Sequence, residues 1–462
     1  MFSGLCSFFR FVSAFLASLL WVAPFSTSIA QHIQPMPVLC GQDIFRHLVR
    51  EHHPDLHKAF DATFEDCRAD ALRKGNAVQE RTVLTIPVVL HVVWKNPAEN
   101  LHDSILFDQI AVLNEDYLRL NADTGNLRTV FQPVAGNPQI RFEVDEIRRV
   151  QTTANFQFNL LTGDLMANLK NSAQGGSTAK APSRYLNLWI CRIQPINILG
   201  IPFGQILGFA FPPNNLPNWP ANSGAPAPGQ DGVVLDFRTV GRNNPNPMPN
   251  PSGTGGNLLI RGRTATHEVG HYLGLRHIWG DGGGLLSPTN DCNQSDGIDD
   301  TPFANAQSPF DCNKSRNSCV KVEPYYGTDM PDLVENYMDY SREDCMNMFT
   351  KGQVNHMRAV LQGPRKDLVQ ASNAPWVALQ PNPSLYPNPA SGGVFWLSIP
   401  PAWGSSYLSV FAADGRLVLE RRLEQVGQED VRLVVEPTSS GWHFVYLRKG
   451  ANLWVERVFI QP

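Results

Sequence analysis

The chain has 462 residues, of which 17% are charged, and its formal net charge at pH 7 is -4. Because no block of like charge occurs, the composition argues against nucleic acid or an anionic membrane surface as partners and favours proteins or peptides. The length allows two or three domains with ample core.

Residues 1–30 have the pattern of a secretory signal peptide. Arg10 precedes an apolar stretch from Phe11 to Phe25, and Ser28 and Ala30 are the small residues that signal cleavage needs. An uncleaved anchor is the alternative, but the stretch is short for a bilayer span, and no later segment is long and apolar enough. We therefore expect an exported protein, secreted or held at the cell surface.

The segment 31–80 is predicted to be a helical propeptide. Apolar residues recur there at helical spacings among charges, at Ile44, Leu48, Leu56, Phe60 and Phe64. The pattern changes at Arg81, and Val83–Trp94 is typical of a buried strand. We expect a catalytic domain over 81–372.

Strands and helices are mixed in this domain, which indicates an α+β fold. A helix is predicted at 104–120 and strands at 140–147 and 185–193. Asp231–Phe237 is predicted to be an edge strand directly before the helix that carries the principal motif.

That motif contains His267, Glu268, His271, Gly274 and His277. Positions i and i+4 lie on one face of a helix, so the first two histidines can bind one metal ion, and the glutamate can reach a water on it. The glycine can adopt the positive φ that ends a helix, which lets the third histidine complete the site.

Three neutral imidazoles are a zinc ligand set that leaves one position open and lowers the pKa of a bound water to about 7. Glu268 is then the expected general base. An amphipathic helix with incidental histidines is the alternative, but these five positions coincide by chance in roughly one such chain in tens of thousands.

A second segment carries a family resemblance. Asn336–Ser341 and Glu343–Thr350 resemble the methionine-containing turn of the pappalysin family of metzincin metallopeptidases, and the resemblance covers about 81–370. It implies that Met338 lies beneath the histidines as an apolar floor. It also implies that Tyr340 hydrogen-bonds the oxyanion of the tetrahedral intermediate.

The resemblance implies a metzincin-type architecture for the catalytic domain. A twisted mixed sheet would carry an active-site helix and a backing helix above a loop-rich lower subdomain. Spacing alone leaves the cysteine connectivity open, but the resemblance implies Cys292–Cys319 and Cys312–Cys345 disulfides in that subdomain. In metzincins an edge strand pairs with the extended substrate, and a capped edge without a ligand role is the alternative.

Three cysteines lie outside both the signal peptide, which contains Cys6, and the two implied disulfides. Cys191 lies in a predicted strand, where a buried inert thiol is expected. Cys40 has two interpretations. Relatives of this type can be kept latent by a propeptide thiolate on the zinc, and a Cys40–Cys67 disulfide is the competing possibility.

Two further site hypotheses concern acidic residues. Asp344 matches a family position at the bottom of the pocket for the residue after the scissile bond, which would favour Arg or Lys there, and the alternative is a solvated acid. Self-processing at Glu80–Arg81 would follow. Calcium is the second hypothesis, and solvated loop acids are the alternative. The candidate ligands lie in a loop that does not match an EF-hand: Asp296, Asp299, Asp300 and Thr301.

The C-terminal region has a different pattern. A proline-rich linker at 373–384 is followed by alternating short strands over 385–462, which predict a small all-β sandwich. Leu385–Pro389 and Gly441–Leu447 resemble a type IX secretion sorting domain, so the secretion machinery is an expected partner. A carbohydrate-binding accessory sandwich is the alternative.

Together these features predict a secreted zinc endopeptidase. A non-catalytic zinc-stabilised adhesin and a metal hydrolase of non-peptide substrates are the other candidate classes. Glu268 and Tyr340 argue against the adhesin, and the substrate-pairing edge strand argues against the second hydrolase.

Overall fold

The structure is a computed structural model. It describes residues 40–74, 82–198, 201–214, 228–250, 256–280, 292–370, 382–400, 403, 406–413, 416–423, 430–436, 440–449 and 452–461. The predicted signal peptide, the Glu80–Arg81 bond and most of the predicted linker lie outside these ranges.

A five-stranded sheet forms the centre of the catalytic part, in the spatial order β3-β1-β4-β8-β7. Its strands are β1 (Leu84–Trp94), β3 (Ile140–Gln151), β4 (Leu186–Cys191), β7 (Gly208–Ala210) and β8 (Val233–Asp236). The first four strands in the spatial order are parallel, whereas β7 pairs antiparallel with β8. The sheet is therefore mixed, with its antiparallel strand at one edge.

The predicted position of the edge strand was wrong. Asp231–Phe237 contains β8, which pairs with β4 on one side and with β7 on the other, so it is an internal strand. The edge is the three-residue strand β7. A strand this short gives no alternating pattern in the sequence, and the sequence prediction therefore missed it.

Alternate residues of the central strands enter two different cores. Leu188 and Ile190 pack into one hydrophobic cluster, whereas Trp189 and Cys191 pack into a second. Because both faces are buried, these strands are continuous apolar runs rather than alternating ones. The sheet therefore needs a covering layer on each side.

Helices supply much of both layers. They are α1 (Gln42–His52), α2 (Pro54–Lys74), α3 (Asp103–Tyr117), α4 (Arg263–Tyr272), α5 (Lys351–Gln362) and α6 (Lys366–Gln370). Residues of α3, α4, α5 and α6 pack into the first cluster, and apolar residues of α1 and the first half of α2 pack into the second. In the described part of the chain, no helix has the length and apolarity that a membrane span requires.

The segment from residue 292 to 348 contains no helix or strand among the described elements. Two disulfides cross-link it, Cys292–Cys319 and Cys312–Cys345, which are the pairs implied by the family resemblance. An ion pair also anchors it, because Arg128 lies 2.6 Å from the fully buried Glu335 carboxylate. This segment is the predicted loop-rich lower subdomain.

Two small ladders complete the catalytic part: β2 (Ala135–Gly136) with β9 (Phe349–Thr350), and β5 (Ile196–Ile198) with β6 (Ile201–Gly204). The C-terminal region is all β. Its strands are β10 (Ser384–Tyr386), β11 (Ala390–Ser391), β12 (Val394–Ser398), β13 (Ser406–Ala412), β14 (Leu417–Leu423), β15 (Val431–Val434), β16 (Gly441–Lys449) and β17 (Asn452–Gln461). They form sheets of three and five strands around one apolar core, so the predicted α+β fold with a C-terminal sandwich is confirmed.

Candidate active site

The N-terminus of helix α4 is capped by a carboxylate from a distant part of the chain. Gly262 precedes it with a φ of +79°, and the Glu343 carboxylate accepts hydrogen bonds from the Arg263 and Thr264 amides at 3.1 and 2.7 Å. The Thr264 hydroxyl donates to the same carboxylate at 2.6 Å. First-turn amides have no partner within a helix, and a negative charge there is stabilising. Glu343 therefore joins the methionine-turn segment to the start of α4.

Three imidazoles meet at the end of α4. The His271 Nε2 atom lies 3.1 Å from the Nε2 atoms of both His267 and His277. The Nδ1 atoms of His267 and His271 lie 2.7 and 2.8 Å from the carbonyl oxygens of Tyr337 and Leu275. A carbonyl only accepts, so each Nδ1 carries the proton and each Nε2 presents a lone pair in the neutral ring.

Lone pairs so close together repel one another unless a cation lies between them. Neutral imidazoles whose other nitrogen donates to a carbonyl are the usual zinc ligands. A Cys40 Sγ joins the group, and one ligand atom from each of the four buried residues lies within 4.8 Å of the others. The donor set therefore fits zinc.

The turn after α4 depends on Gly274. Its φ is +90°, and a Cβ placed there would lie 2.9 Å from the His356 Nε2 atom. The Leu275 amide donates to the Gly270 carbonyl at 2.9 Å and closes the helix end. This turn brings His277 back to the other two histidines, and its ring stacks on Trp279 with centroids 4.4 Å apart.

Glu268 is fully buried beside the histidines, with its Oε2 atom 3.6 Å from the Cys40 Sγ atom. Burial raises the pKa of Glu268 to about 8. The edge strand lies directly against it, because a Cβ on Gly208 would approach the Glu268 Cγ atom to 2.8 Å. A carboxyl group with a displaced pKa next to a metal-binding cluster is typical of a catalytic acid or base.

Met338 packs against the helix that carries two of the histidines, and Tyr340 lies beside the histidine rings. A Cβ on Gly270 would lie 2.4 Å from the Met338 Sδ atom, so the methionine packs directly against α4. The Tyr340 ring lies 5.7 and 5.1 Å from the rings of His267 and His277. Its hydroxyl lies 3.4 Å from Asp43, whose other oxygen is 3.3 Å from the His277 Nδ1 atom.

An apolar cavity opens beside the cluster. Its lining includes His267, Glu268, Tyr340 and Cys40, with apolar walls formed by Leu207, Leu258, Ile260, Phe310 and Met346. Asp344 is not among the lining residues, and it pairs with Arg342 at 2.9 Å. Arg342 and Glu343 line the cavity instead. Sequence reasoning missed Glu343, because a helix cap supplied from eighty residues away leaves no local signal.

The acidic loop is held together by its own hydrogen bonds. Asp296 accepts from the Ile298 amide at 2.9 Å and from the Thr301 hydroxyl at 2.7 Å, and burial raises the pKa of Asp296 to about 8. Asp300 accepts from the Gly352 amide at 2.8 Å. Asp299 faces α2 instead, 3.5 Å from Arg68. Asp296 and Asp300 are therefore buried and hydrogen-bonded, whereas Asp299 is exposed and lies next to an arginine.

Cys67 and Cys191 do not belong to the metal-binding cluster. Cys40, Cys67 and Cys191 are all buried and carry free thiols, so the alternative Cys40–Cys67 disulfide does not form. Burial raises the pKa of the Cys191 thiol within β4, as expected for an inert core cysteine.

Known proteins resemble both parts of the chain. Residues 260–362 match the M43 peptidase family model described as pregnancy-associated plasma protein-A, and residues 384–461 match a secretion system C-terminal sorting domain. An extracellular metalloprotease of Arthroderma benhamiae is 28% identical over 304 residues, covering 65% of this chain and 80% of that protein. An extracellular metalloprotease of Coccidioides posadasii is 29% identical over 295 residues, covering 63% of this chain and 82% of that protein.

Among solved structures, a promirolysin mutant of Tannerella forsythia is 32% identical. The match covers 73% of this chain and 98% of that one, with a TM-score of 0.53.

The contact between Gly270 and Met338 generates a prediction. We expect Gly270→Ala to lower the free energy of unfolding by about 1–3 kcal/mol, because the added methyl group must displace a buried side chain. Zinc retained after dialysis should fall as well. The control is Gly125→Ala, where a Cβ meets nothing within 4 Å. Equal stability and zinc content in both variants would show that Met338 does not support the helix.

Proposed function

The chain belongs to the pappalysin family of zinc metallopeptidases, and on that premise we propose that it is made as a latent precursor whose mature form hydrolyses peptide bonds with Glu268 as general base. The enzyme is a zinc metalloendopeptidase, secreted or at the cell surface, with a C-terminal type IX sorting domain. The observation that carries the proposal is the convergence of three imidazole lone pairs beside a buried carboxylate.

We assign the zinc ligands to His267, His271 and His277. Zinc held there supplies a Lewis acid that polarises the substrate carbonyl and lowers the pKa of water. Glu268 accepts the proton of the attacking water and then passes it to the leaving amine. Tyr340, whose ring lies beside two of the histidines, donates a hydrogen bond to the developing oxyanion once its hydroxyl leaves Asp43.

We propose that the propeptide inhibits the catalytic site. The Gly41 amide donates to the Gly208 carbonyl at 2.7 Å, and Cys40 pairs with Gly208 as a parallel bridge. The segment thereby covers the edge of β7, where an extended substrate would bind. Its thiol lies within 4.8 Å of the histidine ligand atoms, where it would bind the zinc in place of the catalytic water. We assign 1–30 to the signal peptide, 31–80 to the propeptide, 81–372 to the catalytic domain and 373–384 to the linker.

We propose that the enzyme prefers Arg or Lys after the scissile bond. Glu343 lines the cavity but already caps α4, whereas the next residue, Asp344, pairs with Arg342, which also lines the cavity. The Arg342 side chain is half exposed, so it can move away and leave Asp344 to pair with a basic substrate residue. Cleavage at Glu80–Arg81 would place an arginine at this position and make maturation a self-processing step.

Calcium is proposed for the acidic loop. Asp296 and Asp300 are buried, and one oxygen of each has no hydrogen-bond partner among the described residues. Oxygen atoms are the ligands that calcium prefers, and a divalent ion there would allow both carboxylates to be ionised. Thr301 lies in the same loop and Asp299 at its exposed side.

Substitutions test the roles proposed for the general base and the oxyanion donor. Glu268→Gln should lower kcat/KM by about 10²–10⁴, because the substituted amide cannot accept the proton. Tyr340→Phe should lower it by about 10²–10³. Cleavage of a peptide library with and without a zinc chelator measures both, and metal analysis should still find zinc. The exposed Tyr325→Phe is the control. Undiminished cleavage by the Glu268 variant would exclude the proposed mechanism.

Latency is tested by removing the Cys40 thiol. The unprocessed Cys40→Ala chain should cleave a short peptide at least about tenfold faster than the unprocessed wild type, because the open zinc position becomes available to water. Cys67→Ala, another buried thiol of the same segment, should remain latent. Equal latency of the two variants would remove the thiol from the mechanism.

For specificity, we expect Asp344→Asn to reduce the kcat/KM ratio of Arg over Ala after the scissile bond by about tenfold, the effect of roughly 1.4 kcal/mol. Asp311→Asn serves as a control acid. N-terminal sequencing should find Arg81 at the start of the mature wild type and no such product from Glu268→Ala. If the inactive variant matured identically without added protease, self-processing would be excluded.

Calcium binding is tested by thermal unfolding. Calcium at 100 times its dissociation constant should add about 2.7 kcal/mol to the free energy of unfolding of the wild type, as binding to the native state alone requires. The Asp296→Asn variant should lose this effect, and Asp329→Asn should keep it. A wild-type melting curve that is identical in calcium and in a calcium chelator would rule out the site.

A further inference from the structure

The segment before residue 75 forms part of the core as well as covering the histidines. One hydrophobic cluster combines Trp189 and Val234 of the sheet with side chains from α1 and α2. Those side chains are Ile44, Phe45, Leu48, Val49, Leu56 and Phe60, and none is more than 4% exposed. The described part of the propeptide, residues 40–74, is therefore a structural layer over one face of the sheet, and we call it the prosegment.

Phe45 lies at the centre of this contact. Its ring is 4.8 Å from that of Phe211 in an edge-to-face arrangement and 6.3 Å from that of Phe209 in the edge strand. Phe60 of α2 lies 6.1 Å away on the prosegment side. Aromatic groups packed in this way contribute strongly to interfaces. The helix therefore binds next to β7 through an apolar stripe.

A charged contact holds the second helix. Asp61 of α2 lies 2.9 Å from Arg46 and 3.2 Å from Arg276, the residue directly before His277. The Arg276 guanidinium also lies 3.7 Å above the Phe64 ring. The prosegment is thus attached to the loop that supplies the third histidine by contacts that do not involve the Cys40 thiol.

The bond proposed for processing lies outside the residues that make these contacts. Every prosegment contact described above is made by residues 40–74, whereas Glu80–Arg81 lies beyond them. Hydrolysis of that bond breaks none of these contacts, and the two fragments retain the same complementary surfaces.

We propose, resting on the proposed latency, that the prosegment remains bound as a non-covalent inhibitor after the Glu80–Arg81 cut. The surface around Phe209 and Phe211 is its binding site in trans. Full activity then requires a second cut within 40–74, or displacement of α1 from that surface.

The test uses the zinc-loaded, full-length Glu268→Ala chain, in which residues 76–80 are replaced by the recognition sequence of a site-specific protease. After the cut, the fragments are diluted to micromolar concentration and separated by gel filtration. We expect the prosegment to elute with the body. Cys40→Ala should still co-elute, because the apolar and charged contacts remain. A prosegment that separates, whether the body stays soluble or aggregates, would overturn the proposal.

Matched variants locate the binding surface. We expect the dissociation constant of the cut complex to rise at least tenfold in each of two separate variants, Phe45→Ala and Asp61→Asn. The Asp61→Asn variant leaves the apolar core intact, so it still tests the contact if Phe45→Ala does not fold. The control is Leu72→Ala on α2, which replaces a 58% exposed side chain. Release by Cys40→Ala alone, with no effect of Asp61→Asn, would show that the thiolate is the attachment. This binding measurement uses an inactive chain, so it does not depend on peptidase activity. If the proposed peptidase function is wrong, the processed wild type will cleave no peptide, whatever the binding result.

Discussion

The convergence of three imidazole lone pairs is the constraint on which the rest of the site depends. His267 and His271 donate through Nδ1 to backbone carbonyls, which leaves their Nε2 lone pairs 3.1 Å apart, a separation that a cation between them makes favourable. The carbonyls belong to Tyr337 in the methionine turn and Leu275 in the turn after α4. The geometry of both turns therefore sets the orientation of the ligands.

The fold supplies this arrangement through long-range contacts. Glu343 caps α4 from the methionine-turn segment, Met338 packs against Gly270, and Gly208 lets the edge strand lie against Glu268. Two disulfides and the buried Arg128–Glu335 pair hold the lower subdomain, which has no regular elements of its own in its described residues. Site geometry is thus maintained by connections between distant parts of the chain.

Much of the site could be predicted from the sequence because its spacing is local. His267, Glu268 and His271 share one helical turn, and Gly274 marks the helix end. The methionine turn and the disulfide pairs came from family resemblance, since no local rule relates Cys312 to Cys345. The edge strand was misplaced because β7 has three residues and no periodic pattern. The Glu343 cap and the role of α1 as a layer of the core depend on tertiary packing that one sequence does not display.

Glu343 has a consequence for how this enzyme can evolve or be redesigned. It lines the cavity and also holds the first amides of the helix that carries two histidines. A change of charge there would alter the pocket and loosen the metal-binding helix in the same step. The cap is made by Glu343 and not by Arg342, which lines the same cavity, so a substitution of Arg342 can alter the cavity without removing the cap. The cavity has one wall that is free to vary and one that the metal site keeps constant.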